Sequence, residues 1–157
     1  MIILGIDPGT TRVGWAVVEK MSHTPVAKKY GCIVSEAITG DAQRLVAVYN
    51  GIINLMDQYA PECIAIEELF FSTNAKTVIT VGQARGVVLL AAGQRRIPVA
   101  SYNPMTIKLA ITGYGKADKS QVAKMVMATL KLKTKPTPDD TADALAVALT
   151  HAFTVKK

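Results

Sequence analysis

Four acidic residues occupy positions where carboxylates could bind a metal ion. Asp7 ends the first apolar run of the chain, and Glu67 ends a second such run. Asp140 and Asp143 lie three residues apart at the start of a late predicted helix, so they share one helix face. Converging carboxylates repel each other unless a cation lies between them, and hard divalent cations such as Mg²⁺ prefer oxygen ligands. The placement of these acids favours a metal-dependent enzyme.

Two of the four acids also have an ordinary structural interpretation. Asp7 precedes Pro8 and Gly9, which is typical of a turn. Thr137 and Asp140 have the spacing of a capping box, with Pro138 at the first helical position. Asp143 has no such role and precedes an apolar stretch, so burying it without a partner would be costly. A metal ion would explain it.

The pairs Glu67 and Glu68, and Asp139 and Asp140, each leave a choice open. Neighbouring residues in a strand point to opposite sides, so only one of the two glutamates can face Asp7. Asp139 suits the positive end of a helix as well as a metal site. Spacing alone does not decide between the neighbours.

The distribution of charge favours a polyanionic partner. The net charge is +6, and the span 69–138 holds eleven basic residues but a single acid, Asp118. A solvated surface would also account for a basic excess, but clustered carboxylates beside it favour nucleic acid held over a metal site. Lys108, Lys116 and Lys119 surround a glycine-rich loop and are candidate phosphate contacts.

Phe70 and Phe71 follow the strand that ends at Glu67 and precede polar residues 72–74. If this pair lies in a loop, an exposed aromatic ring beside a carboxylate could stack on an unpaired base. Packing in the core is the alternative.

Length and composition restrict the class of protein. The 157 residues predict one domain, 1–157. Neither a run of about 18 apolar residues nor a signal peptide is present, so we expect a cytoplasmic protein without a membrane segment. Two distant histidines and two cysteines disfavour a zinc site. A sugar kinase shares the turn after Asp7, but the chain is too short for a second lobe.

Hydrophobic periodicity predicts an α/β fold. Three short-linked antiparallel strands come first, and a fourth strand follows a helix and is therefore parallel to the first. The result resembles a ribonuclease H-like mixed sheet of five strands, flanked by helices on both faces. The predicted strands are 2–7, 12–20, 26–35, 62–67 and 97–102, and the predicted helices are 41–59, 75–95, 104–111, 119–131 and one that starts within 137–140 and ends at 152.

Gly82 and Gly86 lie four apart inside the second predicted helix. Glycine costs about 1 kcal/mol in a helix interior, so the pair indicates close approach by another backbone. That backbone belongs either to the sheet of the same chain or to a second subunit.

Together these motifs resemble the RuvC family of bacterial Holliday junction resolvases. The resemblance covers nearly the whole chain in one register. The segments that carry it are Gly5-Ile6-Asp7-Pro8-Gly9, Ala65-Ile66-Glu67, Gly82-Gln83-Ala84-Arg85-Gly86-Val87, Lys119-Ser120-Gln121-Val122 and Asp140-Thr141-Ala142-Asp143.

The resemblance implies a Mg²⁺-dependent homodimer that nicks four-way junction DNA symmetrically in recombination and repair. It implies two Mg²⁺ ions per subunit, replaceable by Mn²⁺, and a partner complex for branch migration formed by RuvA and RuvB. A related resolvase-like family tied to ribosomal RNA processing lacks the context of Phe70 and Lys119. A junction-binding module without catalysis is an alternative of another class.

The resemblance also selects site residues. It assigns metal binding and catalysis to Asp7, Glu67, Asp140 and Asp143, and so prefers them over their acidic neighbours. It matches Lys119 to a catalytic lysine near the scissile phosphate. The DNA contacts that it implies are Phe70 and Lys108, to which the glycine-rich loop adds Lys116.

Overall fold

The computed structural model describes residues 1–9, 11–21, 24–69 and 75–155. The strands are β1 (Ile2–Pro8), β2 (Arg12–Lys20), β3 (Pro25–Val34), β4 (Cys63–Glu67) and β5 (Val99–Tyr102). The helices are α1 (Asp41–Tyr59), α2 (Ala75–Gln94), α3 (Pro104–Thr112), α4 (Lys119–Leu130) and α5 (Asp139–Thr154). Within these ranges no helix is both long enough and apolar enough to cross a membrane.

The five strands form one mixed sheet with the order β3-β2-β1-β4-β5. The first three strands pair antiparallel, whereas β1, β4 and β5 run parallel. The short connections between the first strands and the helical crossovers before β4 and β5 produce this pattern. The predicted mixed sheet is therefore confirmed, and β1 is its central strand.

Helices cover both faces of the sheet, as predicted. One core lies between the sheet and α3, α4 and α5, and the other lies between the sheet and α1 and α2. Alternate residues of β1 serve the two cores: Ile3 packs with α5, and Leu4 and Ile6 pack with α1 and α2.

Helix α5 lies directly on the backbone of β1 and β2. A Cβ atom built on Gly5 would stand 2.3 Å from the carbonyl oxygen of Ala144, and one on Gly14 would stand 2.0 Å from that of Asp140. Only glycine fits at either position. Nearly all of α5 from Ala144 to Ala152 is buried, which fixes this helix against the sheet.

Element boundaries differ from the predictions at a few ends. Strand β5 begins at Val99 rather than at 97, because the Ile97 N–H still donates to Ala92 O at the end of α2. The predicted capping box of Thr137 and Asp140 is wrong. Helix α5 has Pro138 as its N-cap and no side-chain cap bond, so Thr137 lies too early to cap it. The predicted cap of α2 at 72–74 falls outside the described residues.

We expect Gly5→Ala to destabilise the protein by about 3 kcal/mol or more, because the added methyl group must displace α5. Gly93→Ala is the matched control, since a Cβ there meets nothing within 4 Å and alanine favours the helix. Urea denaturation measures both variants. A Gly5→Ala protein as stable as the wild type would contradict the close contact.

Candidate active site

The ends of β1 and β4 bring two of the predicted acids side by side. Ile6 lies opposite Ile66 in the parallel pair, so Asp7 and Glu67 follow at the same level. Both acids are only partly exposed, whereas Glu68 is exposed, although it also borders a smaller cavity with them. The structure therefore places Glu67, rather than Glu68, beside Asp7 in the more enclosed position.

Helix α5 adds a third carboxylate. Asp7, Glu67 and Asp143 line a cavity of about 270 Å³. Lys108 from α3 and Lys119 from α4 line the same cavity. Two strand ends and three helices thus contribute one charged side chain each to a common space.

Asp140 lies on the other flank of the turn after β1. Its Oδ1 atom is 3.8 Å from the point where a Cβ on Gly9 would stand, and its charge acts on Asp7. Asp139, its neighbour, is exposed and pairs with Lys135 at 2.8 Å. The geometry therefore brings Asp140 toward Asp7 and directs Asp139 elsewhere.

Lys119 forms an ion pair with Asp143. Its Nζ donates to Asp143 Oδ2 at 2.9 Å, and the lysine side chain is 77% exposed while that of Asp143 is 24% exposed. The hydrogen bond and the charge of Asp143 raise the pKa of Lys119 against the opposing effect of desolvation. The carboxylate that had no local role in the sequence thus has a partner from another helix.

Burial and mutual repulsion make the carboxylates resist ionisation. Desolvation, followed by the charges of Glu67, Asp143 and Asp140, raises the pKa of Asp7 well above its ordinary value. Desolvation and the charge of Asp143 raise the pKa of Glu67 from 4.5 to about 7. Lys119 lowers both pKa values and so offsets part of the repulsion.

This donor set fits a divalent cation in its chemistry. Oxygen ligands with excess negative charge suit a hard ion, which would relieve the repulsion. In the part of the chain that the structure describes, no group of three or more acidic, histidine or cysteine side chains stands at ion-holding distance. Side-chain rotation, including release of Asp143 by Lys119, is needed to bind one.

Of the three residues predicted to contact DNA, one lines the cavity, one lies outside it, and the third is not among the described residues. Lys108 lines the cavity of the acids, as described above. Lys116 is exposed on the connection between α3 and α4 and does not line that cavity. Phe70 falls outside the described residues.

Sequence reasoning missed the wall that α2 provides. Thr77, Val78 and Val81 line a second cavity of about 200 Å³, which also contains Asp7 and Glu67. Apolar residues at helical spacing are typical of core positions, so the sequence held no signal for this role.

A mixed sheet with carboxylates at two strand ends and on the helix packed across them defines the class of ribonuclease H-like nucleases. The model of the family "Crossover junction endodeoxyribonuclease RuvC" matches residues 3–151. The protein of that name from Moorella thermoacetica is 51% identical over 152 residues, covering 97% of this chain and 91% of that protein.

Solved structures of RuvC proteins also match this chain. The Thermus thermophilus RuvC structure matches with a TM-score of 0.89 and 36% identity, over 98% of this chain and 94% of that one. A structure of T. thermophilus RuvC in complex with Holliday junction substrate matches with a TM-score of 0.91 and 38% identity, over 98% and 93% of the two chains. The chain belongs to the RuvC family of crossover junction endodeoxyribonucleases, whose chemistry implies a divalent metal cofactor.

The raised pKa of Glu67 predicts a pH-dependent stability. The folded-state pKa lies above the unfolded value, so the stabilisation present below pH 4.5 is lost as the pH rises through about 7. In EDTA, Glu67→Gln should gain on the order of 2 kcal/mol over the wild type between acidic and mildly alkaline pH. Urea denaturation at both pH values gives the difference.

Glu68→Gln is the matched control, because Glu68 is exposed. Its stability relative to the wild type should not change over this pH interval. Parallel pH profiles for the wild type and Glu67→Gln would contradict the raised pKa of Glu67.

Proposed function

We propose that the protein is a Mg²⁺-dependent endonuclease that resolves Holliday junctions by paired symmetric nicks in recombination and repair. The convergence of Asp7, Glu67 and Asp143 in one cavity with Lys108 and Lys119 carries this proposal. It supplies acids for metal ions and cations for a phosphate within one space. The similarity to a RuvC bound to Holliday junction substrate supports junction DNA as the substrate.

Asp7, Glu67, Asp140 and Asp143 would hold two Mg²⁺ ions through their carboxylate oxygens. Mn²⁺ has the same preference for oxygen ligands and should substitute. When bound, the metal ions stabilise the charge that develops as water displaces the 3′ oxygen at the phosphodiester. The carboxylates would hold the metal ions in place, and the positive charge of the ions would offset the repulsion among the carboxylates.

Lys119 changes partner in this scheme. Its ammonium group leaves Asp143 and then lies beside the scissile phosphate, where it stabilises the developing negative charge. Lys108, which lines the same cavity, contacts an adjoining phosphate oxygen.

DNA outside the cavity is held by two further groups. Lys116 is exposed on the connection that precedes α4, where it can contact a phosphate of the same strand. We assign to Phe70, which follows the end of β4 by three residues, the stacking on an unpaired base near the branch point.

The proposed active unit is a homodimer in which residues 1–157 form one nuclease domain. Ile79, Gln83, Gly86 and Leu90 follow the helical spacing of one face of α2, and Ile79 and Leu90 are 61% and 58% exposed. A Cβ on Gly86 meets nothing within 4 Å, so the fold of one subunit does not require glycine there. Close approach by α2 of a second copy would require it.

This dimer presents two cavities to two strands of a junction. A branch-migration complex of RuvA and RuvB is the expected partner, and the cytoplasm, where chromosomal junctions lie, is the expected location.

A cleavage assay tests the proposed role of the carboxylates. A labelled four-way junction and a linear duplex of the same sequence are incubated with the protein and Mg²⁺, and the products are separated under denaturing conditions. We expect paired symmetric nicks in the junction alone, abolished by EDTA and restored by Mg²⁺ or Mn²⁺. Asp7→Asn should reduce cleavage by at least about 10³-fold while preserving junction binding, because it removes charge without altering shape.

Neighbouring acids provide matched controls. Glu67→Gln and Asp140→Asn should lose cleavage, whereas Glu68→Gln and Asp139→Asn should retain it. Normal cleavage by Asp7→Asn would refute the assignment, and junction binding without any cleavage by the wild type would favour a non-catalytic module.

The dimer is tested by Leu90→Glu. A carboxylate within the proposed contact should produce a monomer in sedimentation equilibrium, because it would be buried without a partner. Val46→Glu on α1 is the control, since Val46 is 57% exposed and lies outside the proposed contact. A dimeric Leu90→Glu protein would exclude this face of α2.

A further inference from the structure

Arg85 has no counter-ion among the residues that the structure describes. It lies in α2 and is half-buried, and its guanidinium has one protein acceptor among the described residues, the hydroxyl of Ser101 at 2.9 Å. Its Nε is buried and has no hydrogen-bond partner there. Burying part of a guanidinium beside a single neutral acceptor is costly, so the arrangement calls for an anion.

The position of Arg85 relates it to the active site. Val81 precedes it by four residues and therefore lies on the same helix face, one turn or about 6 Å away. Val78 and Val81 line the cavity that contains Asp7 and Glu67. The guanidinium and the exposed Ser101 hydroxyl thus lie beyond the wall of that cavity.

Arg85 does not serve as a counter-ion for the catalytic carboxylates. Among the described residues, Lys119 and Lys108 lower the pKa of Glu67, and Lys119 lowers that of Asp7, whereas Arg85 contributes to neither. Helix α2 contains no Asp or Glu, so a second copy that approaches through α2 brings no carboxylate from that helix. The missing anion must come from elsewhere.

We propose that Arg85 and Ser101 form a phosphate-binding site for the junction strand that runs past the active-site cavity. A phosphate oxygen accepts hydrogen bonds from the terminal Nη–H groups of the guanidinium and from the Ser101 hydroxyl. The proposal rests on the proposed junction-cutting function. It adds a contact to the phosphate backbone that carries no sequence information, so it positions the DNA.

The salt dependence of binding tests this site. Fluorescence anisotropy of a labelled junction is measured over a KCl series in EDTA with Asp7→Asn protein, which does not cut. Adding Arg85→Ala should reduce the slope of log Kd against log[KCl] by about 0.9, the value for one released counterion. Arg95→Ala is the matched control, because Arg95 is exposed and already pairs with Asp57 at 2.9 Å. Its slope should not change.

Ser101→Asp separates a phosphate contact from a structural role. The new carboxylate should pair with the guanidinium, which preserves or raises Tm but reduces the slope as Arg85→Ala does. Ser101→Ala, which adds no charge, should leave the slope unchanged. Ser101→Asp therefore tests the site even if Arg85→Ala fails to fold.

The outcomes distinguish this site from the function on which it rests. If the Asp7→Asn reference binds no junction, the proposed function and the phosphate site both fail. If the reference binds but Arg85→Ala and Ser101→Asp keep its slope, only the phosphate site is overturned. A loss of affinity that follows dissociation of the dimer in sedimentation would also overturn it.

Discussion

The contact between α5 and the backbone of β1 and β2 determines the geometry of the site. Carbonyl oxygens of the helix occupy the space that a Cβ atom would need at Gly5 and at Gly14. The helix therefore lies in direct contact with the backbone of the sheet. The buried stretch that begins at Ala144 cannot slide or lift without exposing apolar surface. The packing of the apolar part of α5 therefore holds Asp140 and Asp143 near Asp7, whatever contacts the two carboxylates make. The same packing prevents them from moving away from Asp7.

Because of this constraint, the carboxylates of the protein without bound metal stay close together and repel one another. Carboxylates in an exposed loop would move apart, but these are fixed by strand ends and by a buried helix. Burial, and after it this repulsion, raises the pKa of Asp7, and the charge of Lys119 only partly compensates. Stability is lower at neutral pH than it would be with amides at these positions, which is the usual relation between a preorganised site and its fold. A bound cation recovers the lost energy.

The sequence revealed the elements better than their contacts. Periodicity and turn residues located every strand and helix, and strand ends located Asp7 and Glu67, because those signals are local. The sequence left Asp143 without any partner, and the structure pairs it with Lys119 from a helix 24 residues away. No local signal announces such a contact. The sequence also contained no signal for the wall formed by Val78 and Val81, or for Arg85, whose Nε has no hydrogen-bond partner among the described residues. Ordinary core positions and ordinary basic residues have the same sequence pattern.

Helix α2 contributes to the active site, to the proposed phosphate site and to the proposed dimer contact. Its side toward the sheet lines the second cavity, which contains Asp7 and Glu67, and carries Arg85, while its outward face presents Ile79 and Leu90. Two helices packed through small residues lie about 8–10 Å apart, so in the proposed dimer each cavity is one helix diameter from a shared axis. The distance between the two cavities is then set by rigid helices rather than by flexible side chains. In the proposed dimer, a fixed separation of this kind would admit two strands that diverge from a branch and would disfavour a linear duplex. Selectivity for structure would then follow from the packing of α2 rather than from the catalytic groups.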